Sequence, residues 1–361
     1  MLWLAWRQFR VQAYVALSLL AVLAVVLGVT GTTLVHVYDT VVRSCSAHGD
    51  CGPVTGSFEQ RDHLLLISLT SFVVVVPALI GVFWGAPMIA RELEDRTYRL
   101  AWTQSVSRTR WVSVKLALVG LSGVAVAGLL SLMVTWWSSP IDTVNANPYG
   151  IFEVRNIVPI GFATFAFALG VTAGVLIRRS VPAMAATLAG FAVVRLAFNR
   201  WITFRLIAPL HVLTAFQSPF SSGSLSKVNG VPNPADMVIS DQTIDRAGHV
   251  IGQSGGVGPN GNFGFSRLSD GVTELVGVGR CPNKFPALKI ATGINQNGGP
   301  PTTAMARAAR ECIDHFHLRS LVTYQPIDRY WSFQWYEMII YLVLALLFAT
   351  FSWWWVRRRL S

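Results

Sequence analysis

Six stretches of this chain are long and apolar enough to cross a lipid bilayer, and that constraint decides most of what it can fold into. Val11 to Tyr38 contains no Asp, Glu, Lys or Arg. Leu64 to Ala90, Leu116 to Ile141 and Asn156 to Ile177 are equally clean. The fifth stretch, Ser180 to Phe198, holds Pro182 near its start and one charge, Arg195, near its far end. The sixth, Met338 to Val356, is closed by Arg357, Arg358 and Arg359. A spanning helix needs roughly 20 apolar residues, because in hydrocarbon the backbone must satisfy its own polar groups. Composition agrees, since 52% of the 361 residues are hydrophobic and 13% charged, about half the charge of a soluble domain. Such a chain is neither a water-soluble globule nor disordered, which would need high charge and little apolar content. The net charge of +11 would suggest nucleic acid only if gathered on one soluble face. Instead it sorts by membrane side.

With the N-terminus in the cytoplasm, that side holds Arg7, Arg10, Arg91, Arg96, Arg99, Arg108, Arg110, Lys115, Arg178, Arg179 and Arg357 to Arg359, against the acids Glu92, Glu94 and Asp95. The two short loops opposite hold only Arg43, Arg61 and Arg155. Basic residues in short loops mark the cytoplasmic face, so an even number of spans places both termini on the cytoplasmic side. The first ten residues set Leu2, Trp3, Trp6 and Phe9 against Arg7, Gln8 and Arg10. That pattern reads as an interfacial amphipathic turn or an ordinary basic flank. A cleaved signal peptide is not expected, because the apolar run is too long and lacks a small-residue cleavage site.

The expected fold class is therefore an all-α polytopic membrane protein, six transmembrane helices with a mixed, Gly-rich extracellular domain between the fifth and sixth. The boundaries are 1–198 for the five-helix part, 199–331 for the outer domain, and 332–361 for the sixth helix and basic tail. Thirteen of the 30 glycines fall between Gly248 and Gly299, which reads as loops and short strands. Met305, Ala309, Cys312 and Phe316 recur at helical spacing, predicting one amphipathic helix over 301–318. All four cysteines, Cys45, Cys51, Cys281 and Cys312, lie on the outer side, where disulfides are permitted. Cys45–Cys51 and Cys281–Cys312 are the natural bridges, but four cysteines allow three pairings and free thiols also remain open.

Several spellings of catalysis fail on context. Gly252-Gln253-Ser254-Gly255-Gly256 fits the spacing of a nucleophile elbow, yet the glycines and Pro259 that follow will not start the required helix. Gly256, Gly258 and Gly261 match a dinucleotide fingerprint without its strand–helix setting. His48, His315 and His317 lack paired zinc-ligand spacing, so no metal site is expected. No GxxxxGK[ST] sequence occurs, so this chain has no phosphate loop of that kind, binds no cofactor of its own and is not expected to be an enzyme.

The informative segment follows the second span: Arg91-Glu92-Leu93-Glu94-Asp95-Arg96-Thr97-Tyr98-Arg99-Leu100, then Trp102, Thr103-Gln104-Ser105-Val106-Ser107-Arg108 and Lys115. On a helix, Glu92 stands four residues ahead of Arg96 and Asp95 four ahead of Arg99, the favourable order for surface pairs. A charged, aromatic-bearing helix over about 89–110 is more than a minimal connector. It reads as a dock for a cytoplasmic partner or as a solvated loop on the headgroups.

This segment resembles the permease subunits of type-2 ATP-binding-cassette exporters, particularly a group common in actinobacteria. The family pattern is an acid-rich Glu-x-Glu turn, Thr, Leu, a Thr-x-Pro-Val-Ser-Arg phrase and Lys. The chain departs from it at Arg96, where Gly is usual, and Ser105, where Pro is usual. Tyr324-Gln325-Pro326, Arg329-Tyr330-Trp331 and Phe333-Gln334 are also similar to that group. The resemblance implies that Glu92, Glu94, Thr97, Leu100 and Arg108, with Arg96 and Arg99 between them, form a coupling helix. That helix would dock on a separate ATPase subunit, present in two copies, which binds ATP and Mg. It also implies a second permease chain, identical or a paired relative. Related exporters line their cavity with the second and fifth spans, which nominates Val76, Leu79, Phe83, Trp84 and Phe191 as substrate contacts, or else as ordinary packing. Apart from Arg195, the clean spans carry no ionisable group, so ion coupling is not expected and a hydrophobic or amphipathic cargo is. The alternative function is a receptor or sensor whose outer domain binds a ligand. A membrane-embedded enzyme would need an acid, His or metal constellation that the sequence lacks.

Overall fold

The computed structural model describes residues 2–42, 67–94, 108–145, 148–215, 233, 235–244, 246–248, 250–257, 263–264, 317 and 319–359. They fall into two units, one of 1–144, 151–203 and 331–361, the other of 145–150 and 204–330.

The first unit is helical: α1 Leu2–Val37, α2 Ile67–Glu94, α3 Arg108–Asn145, α4 Val158–Ile177, α5 Ser180–Ala197 and α6 Tyr330–Arg359. Each contains a stretch long and apolar enough to span a membrane, as the six uncharged runs require. α6 begins at Tyr330, two turns ahead of the expected Met338, after Pro326 and a 3-10 turn over Ile327–Arg329. That early start draws Glu337 into the helix, where it is fully buried. The fourth apolar stretch likewise begins at Pro148 and takes in Glu153. The expectation that Arg195 is the only ionisable group within the spans is therefore corrected. The hydropathy pattern was cut beside Glu337 and Arg155, whereas α6 continues through Glu337 and a 3-10 segment over Pro148–Val154 carries Glu153 ahead of α4.

α2 is interrupted by a π-turn over Ile80–Gly85, and Pro87 explains it. Proline has no N–H for the carbonyl four residues back, and its ring crowds that carbonyl. The wider turn makes room, and the freed Phe83 carbonyl accepts a hydrogen bond from Gln12 Nε2 of α1 at 3.4 Å. Single π-turns of this kind interrupt helices at defined places rather than at random.

The same turn lets α2 and α4 touch backbone to backbone. Gly81 and Gly85 on α2 face Ala166, Gly170 and Gly174 on α4, each series repeating every four residues. A Cβ built at Gly81 would lie 2.5 Å from the Ala166 carbonyl oxygen, and one at Gly85 2.6 Å from that of Phe167. Small residues at this spacing are how membrane helices approach closely when no hydrophobic force drives them together. Around this contact pack Phe9, Ile80, Trp84, Ile89, Val119, Phe167, Val171 and Val175. A second cluster joins Leu20, Leu27 and Leu34 of α1 to Leu69 and Val73 of α2 and Leu130, Val134 and Trp137 of α3. Trp137 Nε1 donates to Thr30 Oγ1 at 3.1 Å, and Thr172 and Ser352 pair through their hydroxyls at 2.8 Å between α4 and α6.

The second unit contains an antiparallel sheet of five strands, β1 Leu210–Ala215, β2 Met237–Ile244, β3 Val250–Val257, β4 Phe263–Gly264 and β5 Arg319–Gln325, in the order β1-β5-β2-β3-β4. β5 lies between β1 and β2, with Leu213 opposite Leu321 and Val238 opposite Tyr324. A buried hydrogen bond from Ser320 Oγ to Asp241 Oδ1 (2.7 Å) ties β5 to β2. The Gly252–Gly256 run is strand rather than loop. Gln253 faces Gln242 and Gly255 faces Asp241, so Ser254 sits in a bulge between them. Ser254 lies inside strand β3, not at the end of a strand where an elbow places its nucleophile. The four cysteines and the helix expected over 301–318 lie outside the described residues, apart from His317, an exposed turn residue with φ 48°.

Candidate functional site

Two helices start without a side-chain cap of their own, and each borrows one from another helix. At α5 the N-cap residue is Arg179, which makes no capping bond. Glu94, the last residue of α2, supplies it: Glu94 Oε2 accepts from the Ser180 backbone N–H at 3.0 Å and from Ser180 Oγ at 2.9 Å. A carboxylate at a helix N-terminus satisfies an orphan donor and meets the positive end of the helix dipole. Two residues earlier, Glu92 forms an ion pair with Lys115 of α3, both side chains mostly buried. The end of α2 is thus fastened to α3 by Glu92 and to α5 by Glu94. Leu93, between them, is buried. Of the other coupling residues, Arg96, Thr97, Arg99 and Leu100 lie outside the described residues, and Arg108 opens α3.

At α4 the N-cap residue is Ile157, also without a capping bond. Gln334 of α6 takes the role: its Oε1 accepts from the N–H groups of Ile157 and Val158 at 3.3 Å each, and its Nε2 donates to the Phe152 carbonyl at 3.0 Å. Gln334 is fully buried, and these three bonds fix where α4 begins. Gln334, Glu337, Tyr341, Ala345 and Ser352 form one buried face of α6. Their spacing of three, four and seven residues was available in the sequence as a largely polar stripe on an apolar helix.

Glu337 and Tyr341 of that stripe meet Arg195 of α5. Arg195 Nη2 donates to Glu153 Oε2 at 2.5 Å, while its Nη1 lies 3.8 Å from Glu337 Oε1. The guanidinium stands over the Phe162 ring at 3.7 Å, an attraction strengthened by removal from water. Phe162 and Phe198 also bracket the Tyr341 ring, with centroids 4.7 and 4.8 Å away. Arg195 was singled out in the sequence only as a flaw in the fifth span; its two acid partners were not.

The candidate substrate contacts separate into two groups. Trp84 is buried edge-on against Phe9 (4.8 Å), and Phe191 stacks on Phe165 (6.3 Å). Val76 packs against both apolar clusters. Leu79 and Phe83, four residues apart on α2, are exposed.

A family model described as ABC-2 membrane transporter related matches residues 17–205, just over half of the chain. The match runs from α1 to the turn after α5, and so includes both Glu94 and Ser180. No curated protein matches the chain. No solved structure does either.

Proposed function

The chain belongs to the ABC-2 membrane transporter-related family, and from that premise we propose that it is the permease subunit of an ATP-driven exporter. It is a multi-pass membrane protein of a transporter family whose members pair with an ATPase subunit. In the proposed assembly two ATPase subunits bind ATP and Mg beneath two permease chains. Both termini and the segment after α2 face the cytoplasm, as the basic loops require. The segment over 95–107 docks on the ATPase, and the acids just before it carry the motion into the membrane.

The observation that supports this reading most is the double fastening of the α2 end. A docking segment does useful work only if its displacement reaches several helices at once. Glu94 on the start of α5, Glu92 on Lys115 of α3 and the glycine contact with α4 give it three such routes. A push on this end would therefore move α2, α3, α4 and α5 together, the kind of rigid-body shift between packed helices that serves alternating states. The two states must differ in substrate affinity for hydrolysis to drive transport. Leu79 and Phe83, exposed and apolar on the same helix, are the proposed contacts for a hydrophobic or amphipathic cargo.

The experiment is co-expression with a candidate ABC ATPase subunit, purification in mild detergent, and reconstitution into proteoliposomes. A stable complex whose ATP hydrolysis is stimulated by an apolar cargo supports the assignment. Purification of the chain free of any nucleotide-binding subunit, together with specific ligand binding to its sheet-containing unit, would favour a receptor instead.

A further inference from the structure

The cluster around Arg195 holds two carboxyl groups and one guanidinium in a setting that water barely reaches. Glu337 has no exposed side-chain surface, Arg195 has 9% and Glu153 has 21%. The charges facing Glu337 are Arg195 from α5 and Glu153 from the turn before α4. The Thr203 hydroxyl, which also faces it, donates to the Phe198 carbonyl at 3.3 Å. From α4 come the Phe162 and Phe165 rings, and from α6 itself Tyr341.

Arg195 is committed to Glu153. Neither oxygen of Glu337 has a hydrogen-bond donor in place, and 3.8 Å to Arg195 Nη1 is too long for one. If both acids were ionised, the cluster would carry one uncompensated negative charge among aromatic rings. A buried charge without partner or hydrogen bond is among the least tolerable arrangements in a protein. One proton makes the count neutral: two carboxyl groups, one guanidinium, one proton.

We propose that Glu337 is a proton-binding site of the membrane domain, protonated while Arg195 pairs with Glu153, and that Arg195 exchanges acids when the proton moves. In the first state Glu337 holds the proton on a carboxyl oxygen and Arg195 bonds Glu153. In the second the proton has passed to Glu153, the acid with a route to water, and Arg195 bonds ionised Glu337. Both states are neutral and both contain one proton, so neither requires a counter-ion. The exchange switches α5 from the start of α4 to α6, which makes the site a two-position link among three spans. Ionisable groups inside membrane domains mark such proton sites.

The test uses the purified full-length chain in nanodiscs, without ATPase, so that its outcome is independent of the proposed partner. Infrared spectra at neutral pH are recorded for wild type, Glu337→Gln and Glu153→Gln, after confirming that each is monodisperse. The expected result is one carboxylic-acid carbonyl band in the wild type that Glu337→Gln removes. Glu153→Gln should remove the same band, because a neutral residue at 153 leaves Arg195 to be balanced by ionised Glu337. A wild-type spectrum identical to Glu337→Gln in that region overturns the proposal, since Glu337 would be ionised. Persistence of the band in Glu153→Gln overturns the exchange, since Glu337 would be neutral whatever Arg195 pairs with. Should Glu337→Gln fail to fold, Glu337→Asp takes its place: the band should then shift in frequency, and an unshifted band overturns the proposal, since another acid would hold the proton.

Discussion

Gly170→Ala isolates the α2–α4 contact. A Cβ at Gly170 would meet the Gly81 carbonyl oxygen inside van der Waals distance and the Ala86 nitrogen at 2.8 Å. Both are backbone atoms of a helix, so neither can rotate away as a side chain would, and the helices must part by some tenths of an ångström. Overpacking of this kind costs about 1–3 kcal/mol, with the rigid neighbours placing it toward the upper end. Alanine's advantage over glycine in a helix returns roughly 1 kcal/mol, leaving a net loss of about 1–2 kcal/mol. In a chain of this size each kcal/mol moves the midpoint by about 2–4 °C, so a fall of roughly 2–8 °C is expected. Gly28→Ala is the control, since nothing lies within 4 Å of its Cβ, and it should leave the midpoint unchanged or raised. The assay is tryptophan-fluorescence melting of wild type and both variants in one detergent. Equal midpoints for the two variants would refute close backbone approach at Gly170.

Glu92→Lys combined with Glu94→Lys should leave membrane insertion intact while ATP hydrolysis by the complex no longer tracks export, read as ATP consumed per molecule transported. Lys115→Glu added to Glu92→Lys should restore part of that ratio by re-forming the pair in reverse. Gln334→Leu should lower the melting midpoint, because it strands the Ile157 and Val158 N–H groups and the Phe152 carbonyl, at about 1–3 kcal/mol for each buried group left unpaired. Leu79→Ala and Phe83→Ala should alter cargo transport with little change in melting. Trp84→Ala and Phe191→Ala should instead cost about 3–5 kcal/mol of stability, and the reverse pattern would reassign the pathway.

The six helices were legible because a membrane enforces a crude rule, long runs without charge, that sequence states openly. What the rule hid is also instructive. Charge marks where a run ends in a hydropathy reading, so Glu337 was placed at the edge of the sixth span. The chain continues its helix through Glu337 because Arg195, forty and more positions from either acid in sequence, lies beside it. The Gly81–Gly85 and Ala166–Gly170–Gly174 repeats were visible as small residues four apart, but nothing in one sequence says which two helices meet there. The coupling acids were found by their pattern and given a docking role; the structure has Glu92 and Glu94 bonded to other helices of the chain, at Lys115 and Ser180.

The position of α5 connects these observations. Its first residue, Ser180, is held by Glu94 at one end, and Arg195 is held by Glu153 near the other. Fifteen residues of helix separate them, roughly 22 Å at 1.5 Å per residue, most of the thickness of a bilayer core. A helix is stiff along its axis, so a shift imposed at Ser180 arrives at Arg195 with little loss. Arg195 stands between two acids that compete for it, and a small displacement there changes which one it bonds. The proposed cytoplasmic push and the proposed proton exchange would therefore be linked through one rigid element. By thermodynamic reciprocity, if docking at the α2 end favours one partner of Arg195, then fixing that partner must change the strength of docking by the same factor. Glu337→Gln, which holds Arg195 on Glu153, and Glu153→Gln, which releases it to Glu337, should thus shift ATPase affinity in opposite directions, measured by titrating the ATPase onto nanodisc-held permease. Identical affinities for the two variants would show that the ends of α5 act independently.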